Sequence, residues 1–166
     1  MIRVAVLLLL LLVVVPVRAG AEPLLARVRT LAGPELAGRG SGTPEGHAAA
    51  ETLAAWFAAA GLEPVFPAGW LQEFPLGGEG WTGESLEGRV AHNVAGLLSG
   101  SGVLAGRVLV VGAHHDHLGR VDPAGASAAY YPGANDNASG VAILVELAHR
   151  AERGGDRRSV LFVGFG

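Results

Sequence analysis

Two short polar segments contain most of the residues that could do chemistry. The first, His114-His115-Asp116-His117, directly follows the apolar run of residues 108–111. The second, residues 132–140, contains Asp136 and leads straight into a helical pattern. Neutral imidazole and carboxylate groups are suitable ligands for zinc. The histidines and aspartates of both segments, His114 and Asp136 among them, are therefore candidate metal ligands.

The spacing within these segments assigns further roles. Side chains two apart on a strand point the same way, so Asp116 can accept a hydrogen bond from the second ring nitrogen of His114. Such a carboxylate fixes the tautomer of the ligand and raises its basicity. Asp136 has two oxygens and can bridge two metal ions about 3.5–4 Å apart. The same alternation turns His115 and His117 to the opposite face, as pocket-wall or surface groups.

The remaining histidines carry no such pattern. His47 and His149 lie in helical stretches, and we expect both on helix surfaces. For His92 the sequence indicates no role.

The elements around the two segments predict an α/β fold with a mixed, largely parallel sheet flanked by helices. Strand 107–113, helix 141–151 and strand 159–165 form a βαβ unit, which implies a parallel pair buried on both faces. Open α/β sheets bind ligands beyond the carboxyl ends of their strands, where both polar segments lie. Helices are expected at 23–31 and after Thr43-Pro44, and an edge strand at 70–76. Strands 90–98 and 107–113 are expected to pair as an antiparallel hairpin.

Composition excludes several classes of protein. The chain has 166 residues, 12 basic and 15 acidic side chains, a net charge of −3, no cysteine and no lysine. Disulfides, thiolate zinc sites, cysteine nucleophiles, Walker-type loops and Schiff bases are therefore ruled out. The acidic balance argues against nucleic acid as a partner. No G-x-S-x-G motif occurs, which argues against a serine hydrolase.

The first residues are typical of an export signal. Arg3 precedes an unbroken apolar run over residues 4–15, Pro16 breaks it, and Ala19-Gly20-Ala21 supplies small residues for cleavage. The run is shorter than the roughly 20 residues needed to span a bilayer. We expect residues 1–21 to be a signal peptide and the protein to be exported, periplasmic or secreted, without stable membrane insertion after cleavage.

Residues 111–119 and 132–141 together resemble the co-catalytic two-zinc aminopeptidases of the aminopeptidase Y and bacterial leucyl aminopeptidase type. Weaker similarity extends to residues 36–39, 60–62, 72–74 and 93–96. The resemblance implies that His114 binds one zinc, that Asp136 bridges two, and that Asp116 orients His114. It also implies hydrolysis of the N-terminal bond of peptides or proteins by a metal-activated water.

In that family, the strand that resembles residues 159–166 continues into a Glu-Glu pair, whose first member is the general base. This sequence stops before the pair. We therefore expect residues 22–166 to be the amino-terminal part of a zinc peptidase catalytic domain, incomplete at the C-terminus and inactive alone. Two alternatives stay open: a non-catalytic binding domain of the same fold, and a glutaminyl cyclase-like acyltransferase. Zinc, cobalt and manganese all suit the ligand types; zinc rests on the resemblance.

Overall fold

The computed structural model describes residues 21–81, 83–122 and 129–166. The predicted leader at residues 1–21 lies outside this part of the chain, apart from Ala21. The helices are α1 (Ala21–Leu31), α2 (Pro44–Ala59) and α3 (Ser139–Arg150). The strands are β1 (Glu63–Pro64), β2 (Leu71–Pro75), β3 (Val90–Leu98), β4 (Val108–His114) and β5 (Ser159–Phe165). The predicted α/β class is confirmed.

The helix boundaries follow the signals in the sequence. Thr43 is the N-cap of α2, and its hydroxyl accepts a hydrogen bond from the backbone N–H of Gly46 at 3.1 Å. Pro44 occupies the first helical position, where its missing N–H leaves no intrahelical bond unmade. α3 begins at Ser139, two residues before the predicted start, and ends with His149 and Arg150 near its negative dipole end.

The sheet is mixed, but its balance differs from the prediction. Its strand order is β1-β3-β5-β4, and β2 pairs with the free part of the β3 edge. Within the described residues only β4 and β5 pair in parallel, whereas β3 pairs antiparallel with β1, β2 and β5. The expectation of a largely parallel sheet is therefore wrong for this part of the chain.

The predicted hairpin of β3 and β4 is also wrong, because β5 lies between them. The connection through residues 99–107 passes the start of β5, where Ser101 and Arg157 exchange two backbone hydrogen bonds of 3.0 Å. The β4–α3–β5 unit is present as predicted. It places β5 beside β4, and the other edge of β5 is then occupied by β3.

The expected burial of both faces of the parallel pair does not hold for β4. Its first three residues, Val108, Leu109 and Val110, are 59, 52 and 57% exposed. The core instead lies between the helices and the inner strands. Phe57 of α2 packs against Phe162 of β5, with ring centroids 6.3 Å apart, and both side chains are buried. None of the helices among the described residues is long and apolar enough to cross a membrane.

Candidate metal centre

The structure brings together the three residues predicted for the site. β4 ends at His114, and Asp136 returns to the same end of the sheet in an irregular turn, Ala134–Ala138, just before α3. His114 Nε2 lies 3.1 Å from Asp136 Oδ1. On the other side of the ring, His114 Nδ1 lies 3.1 Å from Asp116 Oδ1. An N–H at Nδ1 can donate to Asp116, which leaves the Nε2 lone pair facing Asp136.

Asp116 is itself held by a side chain that the sequence did not single out. The hydroxyl of Ser41 donates a hydrogen bond of 2.5 Å to Asp116 Oδ2. Asp116 therefore uses one carboxylate oxygen for His114 and the other for Ser41. This chain of contacts fixes the orientation of the imidazole, because rotating the ring would break the contact between His114 and Asp116.

Arg39 supports the turn that carries Asp136, and the sequence analysis assigned it no role of its own. Its side chain is fully buried, and all five N–H groups of the guanidinium donate to backbone carbonyls. The acceptors are the carbonyl oxygens of Leu31, His115, Pro132, Gly133 and Asp136, at 2.7–3.2 Å. One side chain thus ties the end of α1 to the segment after β4 and to the turn that carries Asp136.

The electrostatics of Arg39 connect it to the same site. Burial lowers the pKa of Arg39, and the nearby carboxylates of Asp116 and Asp136 oppose that shift. Arginine nevertheless stays charged in proteins. The backbone of Arg39 is left-handed, with φ of 40°, which is uncommon outside glycine and is often found at functional sites. An arginine between glycines, Gly38 and Gly40, was the available signal in the sequence.

The two other histidines of the first segment differ from the prediction. His115 was expected in a pocket wall or on the surface, but its side chain is 2% exposed. Burial lowers the pKa of His115 to about 4, so the ring is neutral at physiological pH. Its Nδ1 has no hydrogen-bond partner within the part of the chain that the structure describes.

His117 lies in the cleft wall, as expected, but it faces the site and not the opposite side. Its Nδ1 is 3.7 Å from Asp136 Oδ2. The strand pleat ends at His114, and the chain then pairs locally with the Arg39 segment, where His117 N–H donates to the Arg39 carbonyl at 3.1 Å. Burial and then Arg39 lower the pKa of His117, so this ring also favours its neutral form.

A cleft of about 710 Å³ opens over these residues. Its walls include the carboxylates of Glu45, Glu79, Glu84, Asp116 and Asp136 and the guanidinium groups of Arg89 and Arg120. Arg120 donates to Glu45 at 2.9 Å, so part of the positive charge is already paired. Acidic groups therefore outnumber basic ones around the opening.

The donor set of His114 and Asp136 fits zinc in chemical type. An imidazole nitrogen and a carboxylate oxygen 3.1 Å apart can both lie at the roughly 2.0–2.2 Å that zinc requires. Among the described residues, however, no group of three or more histidine, aspartate or glutamate side chains could hold a metal ion unaided. Within the described residues, His114 and Asp136 could therefore form at most part of a zinc site.

A comparison with protein-family models identifies one family that part of the chain resembles. The model of Peptidase family M28 matches residues 93–166, which include His114, Asp116 and Asp136. Residues 93–166 are therefore similar to peptidase family M28. The predicted similarity to a zinc aminopeptidase family is thereby confirmed at family level. Comparison with curated protein sequences gives no match.

Solved structures of two aminopeptidases and a glutaminyl cyclase share the fold of this chain. A zinc aminopeptidase from Bacillus subtilis is 12% identical, with a TM-score of 0.67, over 88% of this chain and 61% of that one. A leucine aminopeptidase precursor from Bacteroides thetaiotaomicron is 21% identical, with a TM-score of 0.59, over 87% and 46%. A glutaminyl cyclase from Tannerella forsythia is 24% identical, with a TM-score of 0.58, over 87% and 46%. The chain thus spans about half the length of most of these neighbours.

Proposed function

We propose that this chain provides the His114–Asp136 part of the zinc centre in a metallo-aminopeptidase that removes the first residue of peptides. The proposal rests on one observation, a series of side-chain contacts that runs from Ser41 through Asp116 and His114 to Asp136. Each contact orients the next, and the series ends with an imidazole nitrogen 3.1 Å from a carboxylate oxygen.

In the complete protein, His114 would hold one zinc and Asp136 would bridge two. Zinc supplies Lewis acidity, which polarises a peptide carbonyl and lowers the pKa of a water molecule. In the neutral His114 ring, Asp116 would hold the hydrogen at Nδ1, which leaves Nε2 as the ligand atom. Arg39 holds the backbone of Asp136, so the carboxylate is presented at a fixed place before any ligand arrives. In the family that the chain resembles, a glutamate acts as the general base.

A glutaminyl cyclase-like activity is the second candidate, because such enzymes have the same fold with comparable TM-scores. Both activities act on the amino end of a peptide, so the fold and the cleft alone leave them side by side. A non-catalytic binding domain is the third reading. It is disfavoured because His114, Asp116 and Asp136 are all present and in contact.

Export and domain organisation belong to the same proposal. Residues 1–21 would direct the protein to the periplasm or the exterior, and residues 22–166 would begin the catalytic domain. Determining the amino-terminal sequence of the protein from its native host tests this. A mature chain beginning at Glu22 supports export, and a chain that retains residues 1–21 contradicts it.

The activity is tested with the protein expressed from its whole coding sequence and supplied with zinc. It is incubated with three peptides: one with a free amino terminus, its N-acetylated counterpart, and one beginning with glutamine. Mass spectrometry should show that the wild-type protein shortens the free peptide and leaves the acetylated peptide unchanged. The Asp136→Asn variant should shorten neither peptide. Loss of ammonia from the glutamine peptide without shortening of any peptide would favour the cyclase. If none of the three peptides changes at saturating zinc, both the aminopeptidase and the cyclase proposals are contradicted.

A further inference from the structure

His47 and His92 form a close pair that the proposed zinc centre does not use. His47 lies in the first turns of α2 and His92 lies on β3. Their ring centroids are 4.4 Å apart, and the two Nδ1 atoms face one another at 3.4 Å. The sequence predicted a helix surface for His47 and no role for His92. Their contact, across 45 residues, comes only from the packing of α2 on β3.

Each ring has a carboxylate on its other side. His47 Nε2 lies 3.4 Å from Glu51 Oε1, one turn further along α2. His92 Nε2 lies 3.8 Å from Glu73 Oε1, on the residue opposite it in β2. A carboxylate beside Nε2 favours the tautomer with its hydrogen there, which leaves the lone pair on Nδ1.

With that tautomer on both rings, an Nδ1 lone pair of each ring borders the gap between them, and neither Nδ1 donates to the other. Two neutral rings of that tautomer repel across the gap unless a positive group lies between them. A small cleft with room for about one water-sized group, roughly 10 Å³, is lined by both histidines and also by Ser41, His115 and Asp116. His92 is largely buried, and burial and His47 lower its pKa, so its ring is neutral at pH 7 and free to act as a ligand.

We propose that His47 and His92 bind a divalent transition-metal ion, with zinc as the probe, through their Nδ1 atoms at a site separate from His114 and Asp136. Tetrahedral zinc with Zn–N bonds of about 2.0–2.1 Å places two ligand nitrogens about 3.4 Å apart. The observed Nδ1–Nδ1 separation of 3.4 Å matches that spacing. Small ring rotations bring both lone pairs onto the ion, and water completes the coordination.

Glu51 and Glu73 complete the electrostatics of the pair. Their side chains are 64 and 75% exposed, so they act as screened outer charges that orient the rings. Two protein ligands bind more weakly than the four of a structural zinc site, so the ion is expected to exchange with solvent.

Zinc titration of the complete, metal-stripped protein by calorimetry tests this site. His47→Gln and His92→Gln should each remove one binding step or weaken it more than about tenfold, since even outer partners of a ligand affect metal affinity by 10–100-fold. Asp136→Asn should keep that step while it loses binding at the other centre. The matched control is His149→Gln, which changes an exposed histidine on α3 and should leave every step intact.

Imidazole nitrogen resonances give a second readout that needs no variant. Zinc should shift the Nδ1 resonances of His47 and His92 together, at the same zinc equivalent. The site is refuted if both glutamine variants bind as many zinc ions, as tightly, as the wild type. If either variant fails to fold by circular dichroism, unshifted Nδ1 resonances in the wild-type protein refute it instead.

Discussion

Replacing Arg39 by methionine tests how the turn that carries Asp136 is held in place. Methionine fills similar volume but donates no hydrogen bond, so five carbonyls lose their donor at once. The bonds to Pro132, Gly133 and Asp136 are only partly buried, so these three carbonyls can regain hydrogen bonds from water. Those of Leu31 and His115 are buried and remain unpaired.

The two buried carbonyls set the magnitude. An unpaired buried acceptor costs about 1–3 kcal/mol. We therefore expect Arg39→Met to lower the free energy of unfolding by about 4 kcal/mol. Arg39→Lys retains the charge but offers at most three donors without the planar fork, so it should restore only part of the loss.

Urea unfolding monitored by circular dichroism measures the stability, and chelator competition measures zinc affinity under conditions where each variant is folded. If Arg39 positions Asp136, zinc affinity falls more than about tenfold in the folded methionine variant and partly recovers in the lysine variant. Arg107→Met, at an exposed arginine before β4, is the control and should stay within about 0.5 kcal/mol of wild type. Equal zinc affinity in Arg39→Met and wild type would refute the positioning role, and a stability change below about 1 kcal/mol would refute the energetic argument.

Three further predictions concern the surroundings of the site. Asp116→Asn should weaken zinc binding by about 10–100-fold, and Ser41→Ala by less, in a chelator competition assay, because the first removes the orienting carboxylate and the second only its support. Gly133→Ala should destabilise the fold by about 2–4 kcal/mol in urea unfolding, because φ is 56° and the added Cβ would lie 2.4 Å from the Asp136 carbonyl oxygen; an unchanged midpoint would contradict the geometry of the turn. The folded-state pKa of His115 is about 4, below its ordinary 6.5, so the metal-free protein should lose about 3 kcal/mol as pH falls from 6.5 to 4, and His115→Gln should flatten that slope.

The parts of the fold that local signals specify were predictable from the sequence. Thr43 and Pro44 mark the start of α2, and the apolar spacing after Gly140 marks α3. The βαβ unit followed from the succession of strand, helix and strand. These features depend on neighbours in sequence, so a single chain contains enough information to place them.

The strand order and the burial of β4 could not be predicted, because they depend on long-range pairing. Nothing in residues 99–106 shows that β5 will come between β3 and β4. The sequence predicted a buried strand at Val108, Leu109 and Val110, but these residues are exposed. Apolar composition does not reveal which elements cover a strand.

The same division applies to the site. His114, Asp116 and Asp136 were predicted from ligand chemistry, strand alternation and the resemblance to the two-zinc aminopeptidases, and the structure brings them into contact. Arg39 was missed because its partners are backbone carbonyls far along the chain, which leave no mark on side-chain patterns. His117 was placed on the wrong side because the strand pleat ends at His114, a boundary that periodicity cannot locate to one residue.

The position of bound zinc shows directly whether His114 and Asp136 are metal ligands. Crystals of the protein made from its whole coding sequence, grown with zinc, would give an anomalous difference map at the zinc absorption edge. If they are, the map should contain a peak about 2.0–2.2 Å from both His114 Nε2 and an oxygen of Asp136. The proposed site is contradicted if the map contains fully occupied zinc elsewhere in the protein but no peak between these two side chains.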